Sequence, residues 1–386
     1  MIISSILDND LYKFTMQQAV INLYPTSWAL YQFINRGGTK FPKGFDLQLY
    51  NEVRYFSELK IDQYEKMFLQ SIYFLKPPYV DFLCGYKYNP NEVTIDQEDG
   101  DLYVSVKGPW YRTILWEVPL LALISELYFK TKETETNISY REKTKEKAIK
   151  LMELQARFAD FGTRRRYSRF VQDIVVGLLN KWSNGYFNGT SNIHFAQIHN
   201  IKAIGTQAHE WTQFHAAKYG FKYANETSME KWVEVYQGDL GIALADTYTS
   251  PAFFKSFNTK YAKLHDGIRQ DSGDPFAFIE MAIQHYKKLN IDPLTKTIVF
   301  SDGLDIDKVE EIEKVCKGRI KTSYGIGTNL TNDVVVQPLN MVIKMTACKP
   351  DSSSEWINTC KLSDAQGKYT GDPNMIELCK QELGIH

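Results

Sequence analysis

Residues 201–211 read IKAIGTQAHEW: an apolar strand-like run, a glycine, a polar turn and the beginning of a helix-like segment. The same order returns along the second part of the chain, where apolar, β-branched runs end in polar or glycine-rich clusters before a helix-like segment. The clusters begin at Gly205, Asp246, Asp271, Asp302 and Gly325. Their spacings of 41, 25, 31 and 23 residues each match one strand plus one crossover helix.

This rhythm predicts a barrel. DFGTRRR (160–166), ahead of the helix-like SRFVQDIVVGLLN, is a candidate sixth unit. Polar groups that always follow the strand are typical of a TIM-like α/β barrel, in which the loops after the strands carry the chemistry. An open doubly wound sheet is the alternative, but no GxGxxG follows its first strand.

The first part of the chain mixes helices and strands. Residues 10–24 read as a helix and residues 28–36 as a strand. EVTIDQ and DLYVSVK alternate with period two on either side of Asp99–Gly100, which predicts a hairpin. A long apolar helix and then a charged helix over 142–157 are expected to follow.

Composition excludes several classes of protein. The 386 residues suffice for about two domains, and an apolar content of 44% favours a large core over disorder. The net charge of −1 argues against a general nucleic-acid binder. The five scattered cysteines form no CxxC pair, which favours reduced thiols in a cytosolic protein over a zinc site. No signal peptide and no membrane span are expected.

Two clusters suit phosphates and sugars. In GIGT (325–328), backbone N–H groups and a hydroxyl could hold a phosphate, although such turns often bind nothing. In GIRQDSGDP (267–275), we expect Asp271 to bind a ribose diol or Mg²⁺ and Asp274 to cap the next helix. Arg269 suits a carboxylate ligand, and a buried ion pair is the alternative.

Three consecutive arginines, Arg164–Arg166, cannot all face one site, so at least one is expected to be solvated or paired structurally. His209 follows a glycine turn, and Glu210 is a candidate to orient its ring. A metal triad with His215 and His265 is disfavoured by the wide spacings, and a serine triad by the absence of GxSxG. A direct chemical role for His209 is favoured over a structural one.

Eight strings in order resemble one family, nicotinate phosphoribosyltransferase of the bacterial type. They are DNDLYKFTMQQAV (8–20), GPWYRTILWEVPLL (108–121), DFGTRRR (160–166), GTSN (189–192), GTQAHEW (205–211), RQDSGDP (269–275), VFSDGLD (299–305) and GIGTNLTND (325–333). The similarity runs from about residue 5 to the KLSD string at 361–364.

The resemblance implies a type II phosphoribosyltransferase fold, an irregular TIM-like barrel with an α/β sandwich domain. The expected domains are 1–150 for the sandwich, which could include part of the C-terminus, 151–350 for the barrel and 351–386 for a tail whose last residues form a surface helix. It also implies a cytoplasmic homodimer with active sites near the subunit interface, no nucleic-acid partner and no membrane association.

The implied reaction joins nicotinate to 5-phosphoribosyl 1-diphosphate (PRPP), giving nicotinate mononucleotide and diphosphate. ATP is hydrolysed as a co-substrate through a phosphohistidine, Mg²⁺ accompanies PRPP and ATP, and the product enters NAD salvage. Activity on nicotinamide and a non-catalytic metabolite sensor are the two alternatives.

The resemblance also implies residue roles. His209 resembles the histidine that ATP phosphorylates. Tyr12 resembles the aromatic residue at the pyridine ring, which could reach it from a neighbouring subunit. The other expected nicotinate contacts are Phe161, Gly162, Thr206 and Arg269. The expected PRPP and phosphate contacts are Arg164, Arg165, Asp271, Gly273, Asp302, Gly303, Gly325, Gly327 and Thr328. The metal ligands stay open.

Overall fold

The computed structural model describes residues 2–132, 139–334, 337–365 and 369–385. The α-helices in these ranges are α1 (Leu11–Leu23), α2 (Phe45–Arg54), α3 (Gln63–Ser71), α4 (Pro77–Gly85), α5 (Trp110–Thr113), α6 (Glu117–Lys130), α7 (Ser139–Glu153), α8 (Arg169–Trp182), α9 (Ile193–Ile198), α10 (His209–Tyr219), α11 (Phe221–Tyr236), α12 (Ser250–Ser256), α13 (Thr259–Leu264), α14 (Pro275–Lys288), α15 (Ile306–Cys316), α16 (Thr328–Thr331) and α17 (Pro373–Leu383). The β-strands are β1 (Trp28–Asn35), β2 (Val93–Glu98), β3 (Asp101–Pro109), β4 (Phe158–Asp160), β5 (Phe187–Thr190), β6 (Ile242–Leu244), β7 (Gly267–Gln270), β8 (Thr297–Phe300), β9 (Lys321–Ile326), β10 (Met341–Lys349), β11 (Ile357–Asn358), β12 (Cys360–Lys361) and β13 (Thr370–Gly371).

Six strands form a parallel sheet in the order β5-β4-β9-β8-β7-β6. At least one helix lies between successive strands of this set in the chain, from α8 after β4 to α15 after β8. The α/β class and the TIM-like barrel are therefore confirmed. Asp274 also caps α14 as predicted, because its carboxylate accepts from the N–H groups of Phe276 and Ala277.

The barrel is irregular at residues 201–206, between its two end strands. The predicted strand Ile201–Ile204 is wrong, since only Ala203 forms a bridge, to Thr190 of β5. Gly205 then turns the chain at a φ of 155°, and the Thr206 hydroxyl donates to the Ile242 carbonyl of β6 at 3.4 Å. The segment therefore contacts both end strands without forming a strand of its own.

The second sheet is antiparallel, with the order β11-β10-β1-β3-β2. The predicted hairpin is confirmed, and Asp99 and Gly100 adopt the positive φ values of 49° and 83° that such turns need. Strand β10 pairs along the whole of β1, from Met341 opposite Asn35 to Lys349 opposite Trp28. Residues late in the chain thus complete a sheet that begins near its start.

Helix α1 joins the two layers. Its residues Leu11–Val20 are all buried, and the Thr15 hydroxyl donates to the carbonyl of Thr206 at 2.6 Å. Trp110 from the antiparallel layer packs on Phe214 of α10, with ring centroids 4.3 Å apart. One continuous core therefore fixes α1 against the barrel loops.

The C-terminal residues form α17, as expected for a surface helix. Its buried side chain, Cys379, packs in a small apolar cluster with Phe221 of α11 and Tyr248. His386, the last residue of the predicted tail, lies outside the described residues. A search of the described ranges finds no helix with the length and apolarity to cross a bilayer.

Candidate functional site

Two adjoining cavities lie where the barrel strands end. The first, called here the apolar cavity, is lined by Asp10, Tyr12, Phe161, Arg164, Ser191, Ile204, Gly205, Thr206, Ile242, Arg269 and Val299. The second, the charged cavity, is lined by Tyr12, Glu117, Arg164, Ala208, His209, Glu210, Gln213, Arg269, Asp271, Ile343, Lys344 and Met345. Tyr12, Arg164 and Arg269 line both cavities.

The apolar cavity brings together four of the residues expected at nicotinate: Tyr12, Phe161, Thr206 and Arg269. Tyr12 lines this cavity within its own chain. Burial raises the pKa of Tyr12 well above 10, and its buried hydroxyl has no hydrogen-bond partner among the described residues.

Arg269 stands at the end of β7 with three contacts. Its Nε donates to Ser301 Oγ at 2.8 Å, and its Nη2 lies 2.8 Å from Asp271 Oδ1. Its guanidinium carbon is 5.8 Å from the centroid of the Phe161 ring. The two readings of Arg269, ligand contact and ion pair, are thus compatible, because it pairs with Asp271 while it lines both cavities.

His209 is the first residue of α10, and its ring is buried, with 6% of the side chain exposed. Its Nδ1 lies 3.0 Å from Thr247 Oγ1. Its Nε2 lies 3.0 Å from Asp271 Oδ2 and 3.0 Å from the Lys361 ammonium group. Burial, followed by the charge of Lys361, lowers the pKa of His209 to about 4, so the imidazole is neutral near pH 7.

Asp271 is ionised beside this neutral ring. Burial alone would raise the pKa of its carboxyl group, but Arg269 and the hydrogen bond with His209 lower it well below the usual range. Ser301 Oγ donates to Asp271 Oδ1 at 2.6 Å, which further fixes the carboxylate.

The carboxylates around His209 do not fit a resident metal ion. Ligand atoms of His209, Asp246 and Asp271 lie within 4.8 Å of one another. However, the Lys361 ammonium group is 3.1 Å from Asp246 Oδ2, and Arg269 is 2.8 Å from Asp271. Two protein cations already neutralise this pair of carboxylates.

Glu210 does not orient His209, and that expectation is wrong. Its carboxylate lies 2.8 Å from the buried Lys13 ammonium group, which is also 2.5 Å from Glu117. Adjacent helix residues point in different directions, so Glu210 turns toward α1 and α6. The orienting roles fall to Thr247, which follows β6, and to residues from distant parts of the chain.

The three consecutive arginines separate as expected. Arg166 is buried and forms a two-pronged ion pair with Asp8, at 2.7 and 2.8 Å. Arg164 lines both cavities. Burial, then the charges of Arg164 and Arg36, lower the pKa of Arg165 to about 10, while Asp302 opposes that shift. Arg165 and Asp302 are thus electrostatic neighbours at the strand ends.

Several of the predicted glycines are needed for packing. A Cβ on Gly325 would lie 2.3 Å from the Phe161 ring, and one on Gly162 would lie 2.1 Å from Thr331. Gly162 is not among the residues that line the apolar cavity. Gly273 has a φ of 81° and would meet Asp364.

Three more of the predicted phosphate contacts, Gly303, Gly327 and Thr328, lie after strands β8 and β9. Gly303 has a φ of 57° in the turn after β8. Gly327 precedes the short helix α16, which begins at Thr328.

Sequence reasoning missed several charged residues that line the charged cavity or contact its walls. Lys361 was noted only as part of KLSD, while Lys13, Glu117 and Lys344 had no role. Burial lowers the pKa of Lys344, on β10, to about 8. Lys13 could have drawn notice, since it follows Tyr12 in a helix whose other residues are mostly apolar or uncharged.

Comparison with known proteins covers almost the whole chain. The sequence profile of the nicotinate phosphoribosyltransferase (NAPRTase) N-terminal domain matches residues 7–125, and that of the NAPRTase family matches residues 156–386. A nicotinate phosphoribosyltransferase of Chromohalobacter salexigens is 50% identical over 99% of each chain.

Solved structures agree in fold. The crystal structure of nicotinate phosphoribosyltransferase from Porphyromonas gingivalis has a TM-score of 0.98 and 45% identity, with both chains covered completely. The enzyme from Vibrio cholerae has a TM-score of 0.92 and 32% identity over 100% of this chain and 94% of its own. This chain belongs to the nicotinate phosphoribosyltransferase family of enzymes.

Proposed function

We propose that this enzyme transfers the phosphoribosyl group of PRPP to nicotinate and couples the transfer to ATP hydrolysis through a phosphohistidine at His209. The products are nicotinate mononucleotide, diphosphate, ADP and phosphate, and the reaction opens NAD salvage from nicotinic acid. Family membership supports the transfer itself. The ATP-coupled step is supported by the surroundings of His209.

The observation that carries the proposal is a neutral, buried imidazole next to a cavity with an arginine and aromatic walls. A nucleophilic histidine must keep one nitrogen unprotonated while its other nitrogen is oriented. The lowered pKa of His209, about 4, meets the first need, and Thr247 at 3.0 Å from Nδ1 meets the second.

The apolar cavity suits nicotinate. Its pyridine ring would lie against Tyr12 and Phe161, and its carboxylate would pair with Arg269, whose planar fork matches a carboxylate. Thr206 is proposed as a further contact. Nicotinamide lacks that charge, so it would gain less from Arg269.

PRPP would lie across the neighbouring strand ends, with its ribose hydroxyls on Asp271. Breaking its anomeric C–O bond builds positive charge on the sugar and negative charge on the diphosphate. The cations proposed to stabilise the leaving group are Arg164 and Arg165. Mg²⁺ would enter with PRPP and ATP and supply further charge there, without a set of carboxylates reserved for it.

Diphosphate release from nicotinate and PRPP, with and without ATP, tests the transfer. ATP labelled in its γ-phosphate tests the coupling: acid-labile label on the protein is expected, and none should appear in His209→Ala. ATP-dependent turnover that survives in that variant would refute the phosphohistidine.

The proposal also includes a cytoplasmic homodimer with no nucleic-acid or membrane partner. Its domain limits are 1–150 for the sandwich, 151–350 for the barrel and 351–386 for the tail, except that β10 and β11 belong to the sandwich sheet. Light scattering of the purified protein would test the dimer. A single-chain mass under all conditions would count against it.

A further inference from the structure

Residues 361–364, the KLSD string, form a short strap across the charged end of the barrel. Its Asp364 carboxylate accepts from the backbone and side chain of Ser250, at the start of α12. The Asp364 N–H donates to Ser272 Oγ at 3.2 Å, after β7. These contacts hold Lys361, whose side chain is 12% exposed, beside His209 and Asp246.

Two groups compete for one nitrogen of His209. Asp271 Oδ2 and the Lys361 ammonium group each lie 3.0 Å from Nε2. A carboxylate only accepts hydrogen bonds and an ammonium group only donates them, so Nε2 can serve one of them at a time. The Thr247 hydroxyl at Nδ1 donates or accepts, so it is compatible with either tautomer.

The competition defines two arrangements. In the first, Nε2 carries the proton and donates to Asp271, while Lys361 pairs with Asp246 at 3.1 Å. In the second, Nδ1 carries the proton, the Nε2 lone pair faces Lys361, and Asp271 keeps its contacts with Arg269 and Ser301. The second arrangement leaves Nε2 able to attack phosphorus.

We infer that Lys361 is a catalytic residue for the phosphorylation of His209, because its ammonium group selects the tautomer in which Nε2 carries no proton and then binds the phosphoryl oxygens. This inference rests on the proposed function. The neighbouring carboxylates would otherwise repel a phosphoryl dianion on Nε2, and Lys361 supplies a cation in contact with Nε2 and Asp246.

The step balances as follows in atoms and charge. The Nε2 lone pair attacks the γ-phosphorus of ATP, and the Nε2–P bond forms. The bond from the γ-phosphorus to the bridging oxygen breaks, and ADP leaves with its electron pair. The proton stays on Nδ1, held by Thr247, while the ammonium hydrogen bond passes from Nε2 to a phosphoryl oxygen.

Several other charged groups lie near this step. The charged residues that contact His209 or line its cavity are Asp246, Asp271, Lys361, Arg164, Arg269, Lys344, Glu117 and Glu210. Within this set, Lys361 is the cation in direct contact with Nε2 among the residues that the structure describes. That contact distinguishes the role of Lys361 from the long-range electrostatic effect of the other cations.

Labelling tests the inference with the full-length chain. With γ-labelled ATP, Lys361→Met should lower the rate of label incorporation into His209 at least about tenfold, since hydrogen bonds to charged groups are worth that much or more. Lys361→Arg should restore part of the rate. The control is Lys349→Met, whose amine lies over the Trp356 ring outside both cavities. Wild-type labelling rates in Lys361→Met would overturn the inference.

A second measurement does not depend on ATP. In protein with ¹⁵N-labelled histidine, the Nε2 shift of His209 should report an unprotonated nitrogen in the wild type and a protonated one in Lys361→Met or Lys361→Gln. A merely structural role would not move this signal, and identical shifts would overturn the inference. If the wild type takes no label from ATP while its Nε2 shift still differs from that of the Lys361 variants, the phosphohistidine proposal would be refuted instead.

Discussion

The two cavities share three walls and differ in almost everything else. The walls of the apolar cavity include Phe161, Ile204, Ile242 and Val299, whereas those of the charged cavity include three carboxylates, the Lys344 amine and one imidazole. In the charged cavity, acidic groups such as Asp271 and Glu210 lie within 3 Å of a protein cation. The apolar cavity therefore suits a flat ring, and the charged cavity suits a reaction in which charge is transferred. Arg269 and Arg164 line both cavities.

Removing His209 should produce the largest difference between the functions of the two cavities. His209→Ala should abolish acid-labile labelling from ATP and leave slow, uncoupled transfer, since the apolar cavity keeps its own residues. Labelling and diphosphate release, measured on the same preparation, check this. Loss of nicotinate binding in that variant would contradict the separation.

Arg269→Ala should affect both cavities, but the apolar one more. A charged pair with a buried carboxylate is worth about 2–5 kcal/mol on truncation, so nicotinate affinity should fall at least about 30-fold, and nicotinamide affinity much less. Titration calorimetry with both ligands measures this. Equal losses for the two would show that Arg269 does not read the carboxylate.

Gly325→Ala should disturb the apolar cavity alone. The added methyl group would lie 2.3 Å from the Phe161 ring, so the ring must move, and overpacking of this kind costs about 1–3 kcal/mol. Weaker nicotinate binding and a lower unfolding midpoint are expected, with labelling of His209 retained. Gly85→Ala is the matched control, because a Cβ there meets no heavy atom within 4 Å.

The smallest effect is expected at His215, which lines neither cavity and influences the pH dependence of stability. His215 is fully buried, with Nδ1 2.6 Å from the Trp211 carbonyl and Nε2 3.0 Å from the Tyr24 hydroxyl. Burial lowers its pKa from 6.5 to about 3. Below pH 6.5 the unfolded chain therefore binds the extra proton, and stability falls by about 1.4 kcal/mol per pH unit as pH drops toward 3.

His209 contributes a similar loss of stability as pH falls from 6.5 to about 4, so the two histidines add. Urea unfolding between pH 7 and 5 should show a shallower pH dependence in His215→Gln than in the wild type. In His215→Gln, labelling of His209 by ATP should be unchanged, because His215 lines neither cavity. Parallel pH curves for the two proteins would contradict the assignment.

Local patterns predicted the parts of the fold that local physics determines. The hairpin at Asp99–Gly100 and the strand-plus-helix rhythm each depend on residues within about thirty positions. The segment 201–204 was predicted as a strand because its apolar pattern is indistinguishable from one. In the folded barrel this segment forms one bridge, with Thr190 of β5. That outcome depends on tertiary structure, which the local pattern does not contain.

The site was predictable at strand ends and hidden elsewhere. Asp271, His209 and Arg269 follow visible runs, so their chemistry could be anticipated. Lys361 reaches His209 from 152 residues away, and the partner of Arg166 is Asp8, 158 residues earlier. No spacing rule indicates which of three adjacent arginines turns into the core, because the answer depends on where that distant carboxylate lies.

The pairing of β10 with β1 has a consequence for how the chain is made. One edge of β1 pairs with β3, which is synthesised soon after it, but its other edge pairs with residues 341–349, which are synthesised much later. Until then the nascent chain exposes an open strand edge, a template for wrong partners, and closure across so long a loop is intrinsically slow. A chain interrupted before Met341 would leave that edge unprotected, so its refolding should be dominated by aggregation.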